Sequence, residues 1–122
     1  MKRLLLIAAV VLVLPGCGTE QDFSGFSQQP LTMQTFGSGR IVLERQILPS
    51  SKEHERLASW LTQHQSGWKV SWVTYAPSTL ISGTNFSMNV HSTKVIINAA
   101  DKQYVRDTSG SDFRFLTNEP GT

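Results

Sequence analysis

Residues 50–75 read SSKEHERLASWLTQHQSGWKVSWVTY, and a change of period inside this stretch decides the fold class. Ser50 and Glu53 match a capping box, in which the serine oxygen accepts an otherwise free amide and the glutamate bonds back. Leu57, Trp60, Leu61 and His64 follow at helical spacing. Gly67 stands where a helix stops, so the spacing predicts a helix over 51–65. From Trp68 the period falls to two. Trp68, Val70 and Trp72 then share one face of a strand running to Tyr75.

On the N-terminal side, residues 40–48 (RIVLERQIL) read as a strand ended by Pro49. Ile41, Leu43 and Ile47 share a face that Arg45 interrupts. On the C-terminal side, Ala76-Pro77-Ser78 turns the chain into a short strand at 79–82, broken at 83–85. Phe86, Met88 and Val90 alternate with Ser87, Asn89 and His91, the mark of a half-buried antiparallel strand. Residues 94–98 pair back, 103–106 form a short strand, 107–112 a loop and 113–116 a last strand. A β-α-β-β-β-β order predicts an α+β fold, one helix packed on a small, mainly antiparallel sheet. Leu57, Trp60 and Leu61 would face Trp68, Val70, Trp72, Phe86, Met88 and Val90. The domain is expected over 40–117, with a disordered tail at 118–122. About 78 residues is close to the lower limit for unaided stability.

The N-terminus has a different character. Lys2 and Arg3 precede eleven uncharged apolar residues, Leu4 to Leu14 (LLLIAAVVLVL). A membrane-spanning helix needs about 20. Eleven suits the apolar core of an export signal, with its basic residues held on the cytoplasmic side. The run closes in Leu14-Pro15-Gly16-Cys17. This ending resembles the lipobox of bacterial lipoproteins, in which an aliphatic and small residues precede an obligatory cysteine. Pro15 stands where that family usually has Ala or Ser. The resemblance implies a signal peptide at 1–16, cleavage between Gly16 and Cys17, a diacylglyceryl group on the Cys17 thiol and, in many bacteria, acylation of the new amino group. It also implies a membrane anchor and a place in the cell envelope. With Gly18 rather than Asp next, that place is the periplasmic face of the outer membrane if the source is Gram-negative.

Between anchor and domain, residues 18–39 (GTEQDFSGFSQQPLTMQTFGSG) show no helical or strand period. They read as a flexible tether, so that 17–39 is lipidated cysteine and spacer, with a typical span of roughly 25 Å. Phe23, Phe26, Leu31, Met33 and Phe36 fit a spacer poorly. Two accounts stay open: loose packing on the domain or the headgroups, or a short segment that orders on a partner.

Composition bounds the rest. The 122 residues hold one small domain, and 39% hydrophobic with 16% charged is too apolar for a wholly disordered chain. Removing Lys2 and Arg3 takes the basic residues from 11 to nine, against nine acidic, so the formal charge of +2 falls to zero. No basic run survives to suggest nucleic acid. Cys17 is the single cysteine, so no internal disulfide braces the core.

No constellation for catalysis stands out. His54 and His64 are ten apart on one helix, whereas ligation from one helix wants i, i+3 or i+4. His91 is on another hairpin, and no carboxylate cluster completes a metal site. Glu53 and Glu55 flank His54 but point to different sides, which suits capping and solvation. There is no G-x-S-x-G elbow. Gly37-Ser38-Gly39 reads as the end of the tether, and 107–112 as a solvated turn. The remaining signal is aromatic: Trp60, Trp68, Trp72 and Tyr75 are core residues or, where exposed, a partner-binding surface. The expectation is a lipid-anchored envelope lipoprotein that binds another protein, as inhibitors, immunity proteins and assembly accessories do. It needs no cofactor beyond the covalent lipid. The rivals are a small envelope hydrolase or peptidoglycan-active enzyme, and a structural spacer.

Overall fold

The computed structural model describes residues 20–117. The expected signal peptide, the lipobox with Cys17 and the tail 118–122 lie outside the described residues. A 3-10 helix at Ser24–Ser27 comes first, followed by β1 (Leu31–Gly37), β2 (Arg40–Ile47), α1 (Lys52–Gln63), β3 (Lys69–Val70), β4 (Thr79–Gly83), β5 (Phe86–Val90), β6 (Lys94–Ala99) and β7 (Lys102–Asp107). A second 3-10 helix, Gly110–Phe113, runs into the short α2, Arg114–Thr117. The seven strands form one antiparallel sheet in the order β2-β1-β4-β5-β6-β7-β3, so the fold is α+β as the pattern predicts.

The helix begins one residue later than the capping box implies. Ser51 is the N-cap and its hydroxyl accepts the His54 amide at 3.1 Å. Glu53 is drawn instead into a two-pronged ion pair with Arg45 of β2, whose guanidinium also donates to the Leu116 carbonyl at 3.0 Å. The interrupting arginine therefore ties β2, α1 and α2 together. The helix stops at Gln63 with His64 as C-cap, and Gly67, at φ +86°, turns the chain only afterwards.

Cross-strand register puts Met33, Ile81, Met88, Ile97 and Tyr104 in one row, all buried under α1 and its flanking segments. From the helix, His54, Leu57, Trp60 and Leu61 meet them. A sheet of seven strands is about 29 Å across at the usual strand spacing, and a helix covers about 10 Å of it. The flanks supply the remaining cover, and this overturns two expectations. Residues 18–39 are not a flexible tether over their described length: Phe23, Leu31 and Met33 are buried, and 31–37 is a strand. Gly37-Ser38-Gly39 is the β1–β2 turn, with Ser38 and Gly39 both at positive φ as a tight hairpin requires. Likewise 113–116 is helical rather than a strand, because Phe113 and Leu116 are needed on the core side, which a helical turn reaches without a ladder partner.

Rings join these pieces. Phe26 stacks on Phe86 at 5.5 Å, Phe23 meets Trp68 edge-on at 5.1 Å, Trp60 meets Trp68 edge-on at 6.2 Å, and Phe113 lies 4.7 Å from Trp60. Gln29 fastens the first segment by accepting from the Thr84 amide at 2.8 Å, and His54 Nε2 sits 2.9 Å from the Gln29 carbonyl.

The strand expected over 68–75 is the third correction. Only Lys69 and Val70 pair, with β7 at the sheet edge. The chain then crosses the outer face of the sheet to reach β4, so Trp68 is buried while Val70 is 42% and Trp72 85% exposed. Ser71 N still bonds Gln103 O and Ser78 O accepts from Phe36 N, both at 2.8 Å, and side chains satisfy further backbone groups of this crossover. Asn89 accepts from Ser78 N at 2.9 Å and donates to Ala76 O at 3.0 Å, and Gln103 donates to Val73 O at 2.6 Å. The outcome for β2 is similar. Ile47 is buried, but Ile41 and Leu43, expected on the same face, are exposed.

Two predictions follow from this packing. Phe23→Ala is expected to cost about 3–5 kcal/mol in urea unfolding, where a spacer residue would cost nothing measurable. At the β6–β7 turn Ala100 holds φ +54°. Ala100→Gly is expected to raise the unfolding free energy by about 0.5–1 kcal/mol in the same assay, by relieving the left-handed strain.

Candidate binding surface

The four aromatic residues singled out in the sequence divide. Trp60 and Trp68 belong to the core, with indole nitrogens bonded to Asp112 Oδ2 at 3.1 Å and to the His64 carbonyl at 2.7 Å. Tyr75 is half-buried, edge-on to His91 at 6.1 Å with the Lys94 ammonium 5.7 Å from its ring centre. Trp72 alone of the four stands in solvent, beside Val73 at 59% exposure.

Trp72 and Val73 form one wall of an open groove of about 1090 Å³ on the sheet face opposite the helix. Its floor is a row fixed by register, Ser82, Ser87, Asn98 and Gln103, one from each of four adjacent strands. The β6–β7 turn, with Asp101 and Lys102, closes one end. These are the only titratable residues lining the groove among those described. The row exists because one face of an antiparallel sheet is solvated, so alternate positions are free to be polar.

A second surface lies at the far edge. β2 is the terminal strand of the sheet, and its Ile41, Val42 and Leu43 are exposed at 47, 64 and 37%. A bulge opposite Thr35/Phe36 sets Val42 out of register. The sequence reading missed this patch because it grouped Ile41 and Leu43 on one face with Ile47 and did not foresee the bulge. It missed the polar groove too, although the Ser and Asn positions alternating with the core residues of consecutive strands were its signal.

The histidines are dispersed. His54 Nε2 is committed to Gln29 O, His64 Nδ1 lies 2.8 Å from Trp60 O, and His91 Nε2 lies 2.8 Å from Ala76 O. A hollow of about 320 Å³ does bring His54 beside Ser51 and Glu55. There the Ser51 hydroxyl caps the helix and donates to Leu48 O at 2.7 Å, so it is bound rather than poised to attack. His91 borders a hollow of about 290 Å³ with Ser92 and no carboxylate. Among the described residues no group of three or more His, Cys, Asp or Glu gathers as metal ligands, and no helix is long and apolar enough to cross a membrane.

Comparison of the chain with protein-family models, curated proteins and solved structures gives no match.

Asp112 marks where the second 3-10 helix locks onto the core. The Trp60 indole N–H donates to its carboxylate, which holds the pKa below the ordinary carboxylate value. Partial desolvation opposes this, and the Thr108 hydroxyl and the charges of His64 and Arg106 add to it. A folded pKa below the unfolded one contributes stability that is complete above the ordinary value and is lost as pH falls through the folded value. Asp112→Asn is therefore expected to flatten the acid limb of a Tm-versus-pH curve below about pH 4, while neutral-pH stability changes by no more than about 1 kcal/mol.

Proposed function

We propose that this chain is a lipid-anchored lipoprotein of the cell envelope that acts by binding another protein, taking an extended segment of that partner along the free edge of β2. The observation that carries the reading is the exposed run Ile41-Val42-Leu43 on an unpaired edge. Edge strands expose a row of unpaired amides and carbonyls, and proteins normally protect them with charge or cover them. Arg40 and Glu44 flank the run, but three apolar side chains in succession remain uncovered. A partner strand would gain main-chain hydrogen bonds from the edge and specificity from the side chains.

The anchor reading rests on the Lys2–Cys17 pattern, and the fold supports its geometry. Gln21 N is bonded to Gln65 O at 2.6 Å, just before β3. Four residues from Cys17 to Gln21 reach at most about 14 Å, so the tether is far shorter than the 22 residues of the sequence reading. The anchor leaves from the β3 side of the molecule. β2 lies at the opposite edge, about 29 Å away at normal strand spacing, and so faces away from the lipid. The hydrolase reading gains no comparable support, since the large groove lacks a histidine and the Ser51 hydroxyl beside His54 is committed to the helix cap.

A photo-crosslinking residue at position 42 of the full lipoprotein, activated in intact cells, is expected to give one discrete adduct. Ile41→Lys, which adds a charge beside the probe without touching the core, should weaken it about tenfold, as loss of roughly 1.4 kcal/mol of contact would. An adduct at twice the chain's mass would identify a second copy and reject the partner reading. Absence of any adduct would reject the edge as a docking site.

A further inference from the structure

The groove and its Trp72 wall are left unused by a partner on β2, and Trp72 follows directly on β3, the edge strand near which Gln21 is held. From Gln65, which holds Gln21, the chain runs through Trp68 into β3 and directly on to Trp72. We propose that this surface rests on the membrane that carries the anchor, with Trp72 and Val73 set into the interfacial layer and lipid headgroups taken up against the polar groove floor. The inference rests on the lipid-anchor reading of Cys17.

Four features support it together. A tryptophan 85% exposed beside a valine 59% exposed is costly in water, whereas an indole is at home at the headgroup level, where its apolar body and N–H both find partners. On the groove floor behind them, Ser82, Ser87 and Asn98 offer hydroxyl and amide groups suited to phosphate and glycerol oxygens. Lys69 is exposed on the β3 edge, a cation favourable toward an anionic leaflet, while Lys102 at the groove end is balanced by Asp101 beside it. Finally, a chain segment of four residues permits no placement of the domain far from the bilayer. The high local concentration from the anchor means the contact can be weak in isolation and still be occupied. Such a contact fixes the domain's orientation, with β2 outward.

The test uses the full-length lipidated protein reconstituted into vesicles of phosphatidylethanolamine and phosphatidylglycerol, with brominated acyl chains as short-range quenchers. Trp60 and Trp68 are buried and serve as the unquenched background. Part of the fluorescence is expected to be quenched, and Trp72→Phe should remove that quenched component while leaving the unfolding transition unchanged. Trp72→Ala should make backbone exchange in residues 71–74 the same in vesicles as in detergent. Intact mass read on the same sample separates the two levels of the argument. A lipidated Cys17 with no quenching of Trp72 overturns the docking alone. An unmodified Cys17 overturns the anchor and the docking with it. Quenching that persists in Trp72→Phe, arising from the core tryptophans, overturns the assignment of the contact to this surface.

Discussion

A single twelve-residue helix cannot cover one face of a seven-stranded sheet, and the rest of this structure follows from that shortfall. The helix shields the middle. Phe23, just before the first 3-10 helix, and Phe26 within it cover one flank, and Phe113 and Leu116 of the C-terminal turns cover the other. Trp60 and Trp68 lie between them, so that rings run in contact from Phe86 on β5 to Phe115 at the far end. Large aromatic residues suit this task because each buries much area for little lost side-chain freedom. With no disulfide among the described residues, this packing and the Arg45–Glu53 pair join the segments that the sheet itself does not.

The opposite face obeys a different constraint. The connection from β3 to β4 must pass over β7, β6 and β5, because those strands lie between its ends in the sheet. A chain crossing strands cannot join their ladder, so its carbonyls and amides need side-chain partners. Asn89, Gln103 and His91 supply them. Asn89 and Ile96 are thereby buried on a face that alternation would leave solvated. Where the crossover stops short of the hairpin ends, the polar floor remains open and forms the groove. Trp72 is exposed for the same reason: it belongs to a segment that has left the strand whose periodicity would have placed it beside Trp68.

The two surfaces left uncovered, the β2 edge and the face over β4 to β7, differ in chemistry. One is an apolar strand edge; the other is a polar groove with an aromatic wall. If Cys17 carries the proposed lipid, the four residues from it to Gln21 hold the β3 edge close to the bilayer. A division of labour between a membrane-facing and an outward-facing edge is then a consequence of where the chain enters the fold.

Local pattern determined the fold class, α1 to within a residue or two, the alternation of β5 and the burial of Leu57, Trp60, Leu61, Phe86, Met88 and Val90. Each of these depends on interactions within a few residues along the chain, or on a period that one element imposes. The order of residues 23–37 was not legible, because a 3-10 turn and a strand pairing with two partners have no period over Gly, Ser and Gln, and only the uncovered sheet flank calls Phe23 inward. Nor was the fate of Ile41, Leu43, Val70 and Trp72. Alternation says which side chains share a face, but the width of the sheet and the path of the crossover decide whether anything covers that face. The resemblance of Leu14–Cys17 to a lipobox, by contrast, is carried by the sequence alone and lies outside the described residues.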